Sequence, residues 1–170
     1  MRASGTAFGG GNAAKGVRTS STVLLRRSRS AALHDRIASL LGKPVAHMED
    51  AQVCRYKKGE FYLRHFDGPH HEEPTSRHFL ACGGQRLATV LVYLNTVASG
   101  GATSFPLLDV EVAPQRGRAL VFFPGREDGT IDERLLHEAK PAGDLKWVAQ
   151  VWVRHGTDNF GCFMNTAESV

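Results

Sequence analysis

The chain has 170 residues, 42% of them hydrophobic and 22% charged, and a formal net charge of +4. This length supports one domain with a substantial core and is too short for two. No apolar run approaches the roughly 20 residues of a membrane-crossing helix. The positive charge sits at one end: residues 1–31 hold six basic groups and no acidic one, leaving 15 basic against 17 acidic residues beyond. The body is therefore near neutral, and a basic face for nucleic acid is not expected. No charged-then-apolar secretory signal is read at the start. Three cysteines, Cys54, Cys82 and Cys162, include no Cys-x-x-Cys pair, which argues against a zinc ribbon or a disulfide framework and leaves one bridge, Cys54 to Cys82, open.

Residues 1–17, rich in Gly, Ala and Ser around Gly9-Gly10-Gly11, read as a flexible segment with nothing catalytic in it. The β-branched content then rises, predicting a first strand from Val17 to Leu25. Leu33, Ile37, Leu40 and Leu41 fall at i, i+4, i+7 and i+8 ahead of Gly42 and Pro44, which predicts a helix with an apolar stripe to lay on a sheet.

After Pro44 the texture changes to short β-rich runs: Gln52–Tyr56, Phe61–Phe66, Leu87–Leu94, Ala102–Phe105, Val110–Val112, Ala119–Phe123 and Trp147–Val153, with glycines between them. Many short strands at such spacing predict a sandwich or barrel. The runs Leu87–Leu94 and Val148–Val153 are apolar at successive positions, as in strands covered on both faces. Residues 18–155 form the predicted domain and residues 156–170 a tail.

The second of these runs ends in His65-Phe66-Asp67. Side chains alternate along a strand, so His65 and Asp67 project the same way and can share one metal ion. Imidazole with carboxylate suits non-haem Fe(II). His-x-acid recurs at His47/Glu49, His70/Glu72 and His71/Glu73, but those pairs lie in polar or charge-dense stretches and read as solvated surface pairs. His65 and Asp67 differ because an aromatic and aliphatic run precedes them and a Gly68-Pro69 turn follows. A third ligand is needed, and His137 stands where a later strand could bring it alongside.

Several stretches in order resemble the catalytic domain of the prolyl 4-hydroxylases, within the Fe(II) and 2-oxoglutarate dioxygenase superfamily. They are Arg18-Thr19-Ser20-Ser21, Gln52-Val53-Cys54-Arg55-Tyr56, His65-Phe66-Asp67, Arg86-Leu87-Ala88-Thr89 with Tyr93-Leu94-Asn95, Gly100 to Pro106, and His137 followed by Lys146-Trp147-Val148. The resemblance implies a mainly β fold, the double-stranded β-helix or jelly roll, with one or a few helices on one sheet. It implies that His65, Asp67 and His137 ligate Fe(II), leaving positions for 2-oxoglutarate and dioxygen. Lys146 would bind the far carboxylate of the cosubstrate, Tyr93 would support that carboxylate, and Tyr56 would stand near the iron-bound end. Tyr62, Thr89, Gln150 and Trp152 are further pocket candidates that nothing in the sequence singles out.

The implied reaction is oxidative decarboxylation of 2-oxoglutarate to succinate and carbon dioxide, coupled to hydroxylation of peptidyl proline in a proline-rich peptide or protein. L-Ascorbate is the implied reductant, and the endoplasmic reticulum or secretory pathway the implied location. The sequence departs from the resemblance in two places. The gap from His137 to Lys146 is one residue shorter than the usual prolyl 4-hydroxylase spacing, and the Gly-rich start replaces an opening helix and strand, as in a fragment. Within the same superfamily, a lysyl, oxygen-sensing prolyl or nucleic-acid oxygenase is the nearest rival. A β-sandwich binding module without catalysis is the rival of another class, and a structural zinc site in it would need a fourth ligand.

Overall fold

In a computed structural model that describes residues 2–3, 16–74 and 76–158, the glycine-punctuated runs form two antiparallel sheets. The strands are β1 (Arg2–Ala3), β2 (Ser21–Leu25), β3 (Ala51–Tyr56), β4 (Tyr62–His65), β5 (Arg86–Tyr93), β6 (Thr103–Phe105), β7 (Val110–Val112), β8 (Ala119–Phe122), β9 (His137–Ala139) and β10 (Lys146–Arg154). The larger sheet runs β1-β2-β3-β10-β5-β8 and the smaller β4-β9-β6-β7. This is the two-sheet jelly roll expected from the sequence. The chain crosses between the sheets repeatedly, so residues distant in sequence meet in the space between them.

The longest helix among the described residues, α1 (Ala31–Leu41), forms where the leucine spacing places it and stops at Gly42, whose left-handed φ of 62° suits a residue without Cβ. Its buried face carries His34 and Ile37, and Ile37 joins Met48, Ala51, Ala88, Val90, Val151 and Val153 in a core on the outer face of the larger sheet. Leu40 turns to solvent, 64% exposed, so the apolar stripe is narrower than the sequence pattern. A second cluster lies between the sheets: Cys54, Tyr56, Tyr93, Ala142 and Val148, packed by Tyr62, Leu91, Val112 and Ala139.

Four expectations change. A short helix, α2 (Ser76–Ala81), occupies part of the loop between β4 and β5; six residues are too few to show a helical period. Arg2 and Ala3, within the segment read as flexible, pair with Thr22 and Ser21 on the edge of the larger sheet, while most of residues 1–17 lie outside the described residues. The domain continues past 155, because the Asp158 N–H donates to Ala46 O at 2.8 Å and the Asp158 carboxylate is buried near Arg154; the remainder of the tail lies outside the described residues. Cys54 is a free thiol at 0% exposure, so it forms no bridge to Cys82.

Candidate active site

The three expected ligands come from neighbouring strands. β4 ends at His65 and β9 begins at His137, and the two residues are register partners in the smaller sheet. Asp67 lies just past the end of β4, in the turn rather than in the strand. His65 Nε2 is 3.8 Å and His137 Nε2 3.7 Å from the same atom, Asp67 Oδ1, and all three ligand atoms lie within 4.8 Å of one another. Two ligands at right angles on one ion stand roughly 3 Å apart when each metal bond is about 2.1 Å, so this set closes on an ion with small side-chain movements.

Each ligand is also aimed. His65 Nδ1–H donates to Leu63 O at 2.7 Å and His137 Nδ1–H to Leu135 O at 2.9 Å, which leaves both Nε2 lone pairs for a metal. Thr89, on β5, donates its hydroxyl to Asp67 Oδ2 at 2.6 Å, fixing the carboxylate so that Oδ1 faces the imidazoles. The rings of Tyr62 and His65 stack with centroids 3.6 Å apart and planes 16° from parallel, and Phe122 meets His137 edge-on at 4.8 Å. Burial, and then the neighbouring His137, pushes His65 down to about 3, so its imidazole stays neutral. Burial alone would raise Asp67, but His137, His65, Arg86 and Thr89 outweigh it and hold the carboxyl below its usual range. No further His, Cys, Asp or Glu joins the three among the described residues. The donor set therefore fits a facial triad with open coordination positions better than a closed structural zinc site.

Lys146 opens β10 and is buried at 1% exposure on the inner face of the larger sheet. Its Nζ donates to Gly101 O at 2.8 Å and lies 4.2 Å from the centroid of the Tyr56 ring. Among the described residues no carboxylate comes within ion-pair reach of it. Loss of water on burial pulls its pKa down to about 8, with the Cys54 thiol a smaller opposing influence. A buried ammonium without a counterion is costly unless something anionic joins it.

Both tyrosines line the same inter-sheet cluster. The Tyr93 hydroxyl is held within the protein, 2.7 Å from Thr103 Oγ1 and 3.0 Å from Val112 O. Tyr56 sets its ring against Lys146 and its hydroxyl toward Ser20 and Arg18; burial pushes that hydroxyl up to about 12. Arg18 itself reaches Ser20, Gln52 and Cys54 at 2.9 Å and lies over the Tyr62 ring. Gln150 also donates to Gln52, and Trp152 stands opposite Thr89 in register, its buried indole N–H without a partner among the described residues.

Sequence reasoning missed Glu49, read as half of a solvated His47/Glu49 pair. It is 7% exposed and accepts two 2.7 Å hydrogen bonds from Arg86. No local pattern marks it, because its partners, Arg86 and Arg154, are far along the chain.

Residues 51–154 match the model of the 2OG-Fe(II) oxygenase superfamily. Prolyl 4-hydroxylase 2 of Arabidopsis thaliana is 33% identical over 162 residues, covering 81% of this chain and 52% of that protein. Human prolyl 4-hydroxylase subunit alpha-3 is 36% identical over 132 residues, 75% of this chain and 24% of the relative. Among solved structures, a viral collagen prolyl hydroxylase from Paramecium bursaria Chlorella virus-1, in its 2-oxoglutarate complex, superposes with a TM-score of 0.70 at 26% identity, covering 82% of this chain and 83% of that one. The chain spans about half the length of the plant relative and a quarter of the human one. With its jelly-roll fold, its His-Asp-His set and this match across most of the described domain, the chain belongs to the 2OG-Fe(II) oxygenase superfamily.

Proposed function

We propose that the chain is a 2-oxoglutarate-dependent dioxygenase that hydroxylates proline in peptides, the prolyl 4-hydroxylase reaction. The observation that carries the reading is the pairing of an open three-ligand set with a buried, uncompensated Lys146 between the same two sheets. A dicarboxylate with a chelating keto acid at one end answers both features. The similarity to proteins named prolyl 4-hydroxylase supplies the substrate class.

His65 Nε2, Asp67 Oδ1 and His137 Nε2 would hold Fe(II), which supplies activation of dioxygen when bound. The chain's own residues do the rest. Leu63 O, Leu135 O and Thr89 keep the ligands pointed inward. Lys146 pairs with the far carboxylate of 2-oxoglutarate and so fixes which end of the cosubstrate faces the ligands, with Tyr56 and Tyr93 walling the space. The apolar wall of Cys54, Leu91 and Val148 excludes water from the reacting end. An extended proline-rich segment, already ordered as polyproline II, loses little entropy on binding. L-Ascorbate belongs to the same proposal as the reductant that restores Fe(II).

The test is succinate release from 2-oxoglutarate by the Fe(II)-loaded chain with ascorbate and a proline-rich peptide. Peptide-dependent release that His65→Ala abolishes is the expected result. A folded, metal-binding chain that turns over 2-oxoglutarate only with another substrate class would keep the oxygenase and discard proline.

A further inference from the structure

Beneath the three ligands lies a cluster of buried charges that the proposed reaction does not use. Arg86, on β5, is 5% exposed; its Nη1 donates to the backbone carbonyl of Asp67 at 2.7 Å while Nε and Nη2 grip both oxygens of Glu49 at 2.7 Å. The guanidinium lies flat against Trp152, 3.7 Å from the ring centroid. Glu49 accepts a third hydrogen bond from Arg154 Nε at 2.9 Å, and its own backbone carbonyl faces His34 Nε2 of α1 at 3.0 Å. The two arginines outweigh the cost of burial and hold the Glu49 carboxyl below its usual range, so it stays charged.

We propose that Glu49 and Arg86 are positioning residues for the metal centre, acting on Asp67 through its backbone carbonyl. Asp67 lies beyond the end of β4, where, among the described residues, no sheet hydrogen bonds fix its backbone. A carboxylate ligand on such a turn needs its main chain held as well as its side chain. Thr89 holds the side chain and Arg86 holds the main chain, from two positions on the same strand, β5. Arginine suits the task because its planar fork can engage Glu49 with two nitrogens and keep a third for Asp67 O; lysine cannot make all three contacts. Glu49 in turn is tied to α1, β10 and β5, so the outer face of the large sheet and the ligand turn share one rigid link. The inference rests on the metal-site reading above and not on the identity of the substrate.

The experiment is a Co(II) titration of the metal-free chain followed by visible absorption, with thermal unfolding in parallel. It compares wild type, Arg86→Lys, the charge-neutral double variant Glu49→Gln/Arg86→Gln, and Asp158→Asn. The Asp158 substitution removes ion pairs with Arg154 and Arg27 and leaves the Arg86 contacts to Glu49 and Asp67 O in place. Co(II) binding by wild type tests the metal site itself; its absence there would remove that reading before any variant is compared. Given wild-type binding, Arg86→Lys and the double variant are expected to bind Co(II) 10- to 100-fold more weakly, the usual range for groups that orient ligands, with displaced d–d bands. Asp158→Asn is expected to lower the unfolding temperature while leaving affinity within about twofold and the bands in place. The proposal is overturned if either folded Arg86 variant keeps wild-type affinity and spectrum, or if Asp158→Asn weakens binding equally. The double variant removes both charges together, keeps amides that can hydrogen-bond, and leaves Arg154 its ion pair with Asp158, so it decides the matter if Arg86→Lys does not fold.

Discussion

Lys146 carries its charge into a space where no carboxylate of the described chain answers it, and that isolation sets its behaviour with pH. Its pKa falls from 10.5 to about 8 in the folded protein. Between those values an unfolded chain still holds the proton that the folded chain has released. The charged lysine therefore penalises the fold below about 8, and the penalty fades as pH rises through that window. Cosubstrate binding has the opposite sense, because only the ammonium pairs with a carboxylate. The KM for 2-oxoglutarate is expected to rise toward tenfold per pH unit above about 8, while Lys146→Arg, always charged, flattens that limb. Initial rates across pH 7 to 9.5 check this, and identical profiles in the two proteins would remove Lys146 from the cosubstrate site. Lys146→Ala is expected to raise the same KM at neutral pH, with high 2-oxoglutarate restoring much of the turnover. At the other end of the chamber, Thr89→Val removes the one side-chain donor to Asp67 Oδ2 among the described residues and should weaken metal binding by about tenfold. An unchanged Co(II) affinity would show that the backbone link alone orients Asp67.

At the scale of elements, the lysine depends on two loops zipped together. Gly143 N–H donates to Ser99 O and Gly101 N–H to Pro141 O, and Gly101 O receives the Lys146 ammonium. A Cβ on Gly143 would stand 2.2 Å from Ser99 O, a backbone atom that cannot swing away. Gly143→Ala is therefore expected to cost about 1–3 kcal/mol, as overpacking does, and to raise the KM for 2-oxoglutarate by moving Gly101 O. Chemical unfolding and kinetics on the same sample check both effects. Loss of stability with an unchanged KM would mean that the loop shift does not reach Lys146.

At the scale of the whole molecule, the site bridges both sheets, so filling it should tie them together. Metal at a hundredfold excess over its Kd would add about 2.7 kcal/mol, which for a chain of this size raises Tm by roughly 5–10 °C; 2-oxoglutarate should add a further increment, and EDTA should reverse the whole. An unmoved Tm under saturating metal would mean that the three ligands do not act as one site. The sequence was most informative where a local pattern forces a structure. The leucine period of α1 and the glycine-bounded strands are properties of neighbouring residues, and they sufficed for the fold class; the strand alternation expected to pair His65 with Asp67 did not apply, because β4 ends at His65 and Asp67 stands in the turn beyond it. Ordered motifs along the chain pointed to His137 and Lys146, which the fold places between the same two sheets. Tertiary structure alone decided what depends on contacts between distant segments. It turned Leu40 outward, left Cys54 unbridged, satisfied the Tyr93 hydroxyl within the protein, and moved Glu49 from an expected surface pair into a buried link with Arg86 and Arg154. Burial is set by which elements pack together, and a charged residue takes its meaning from partners that no sequence window contains.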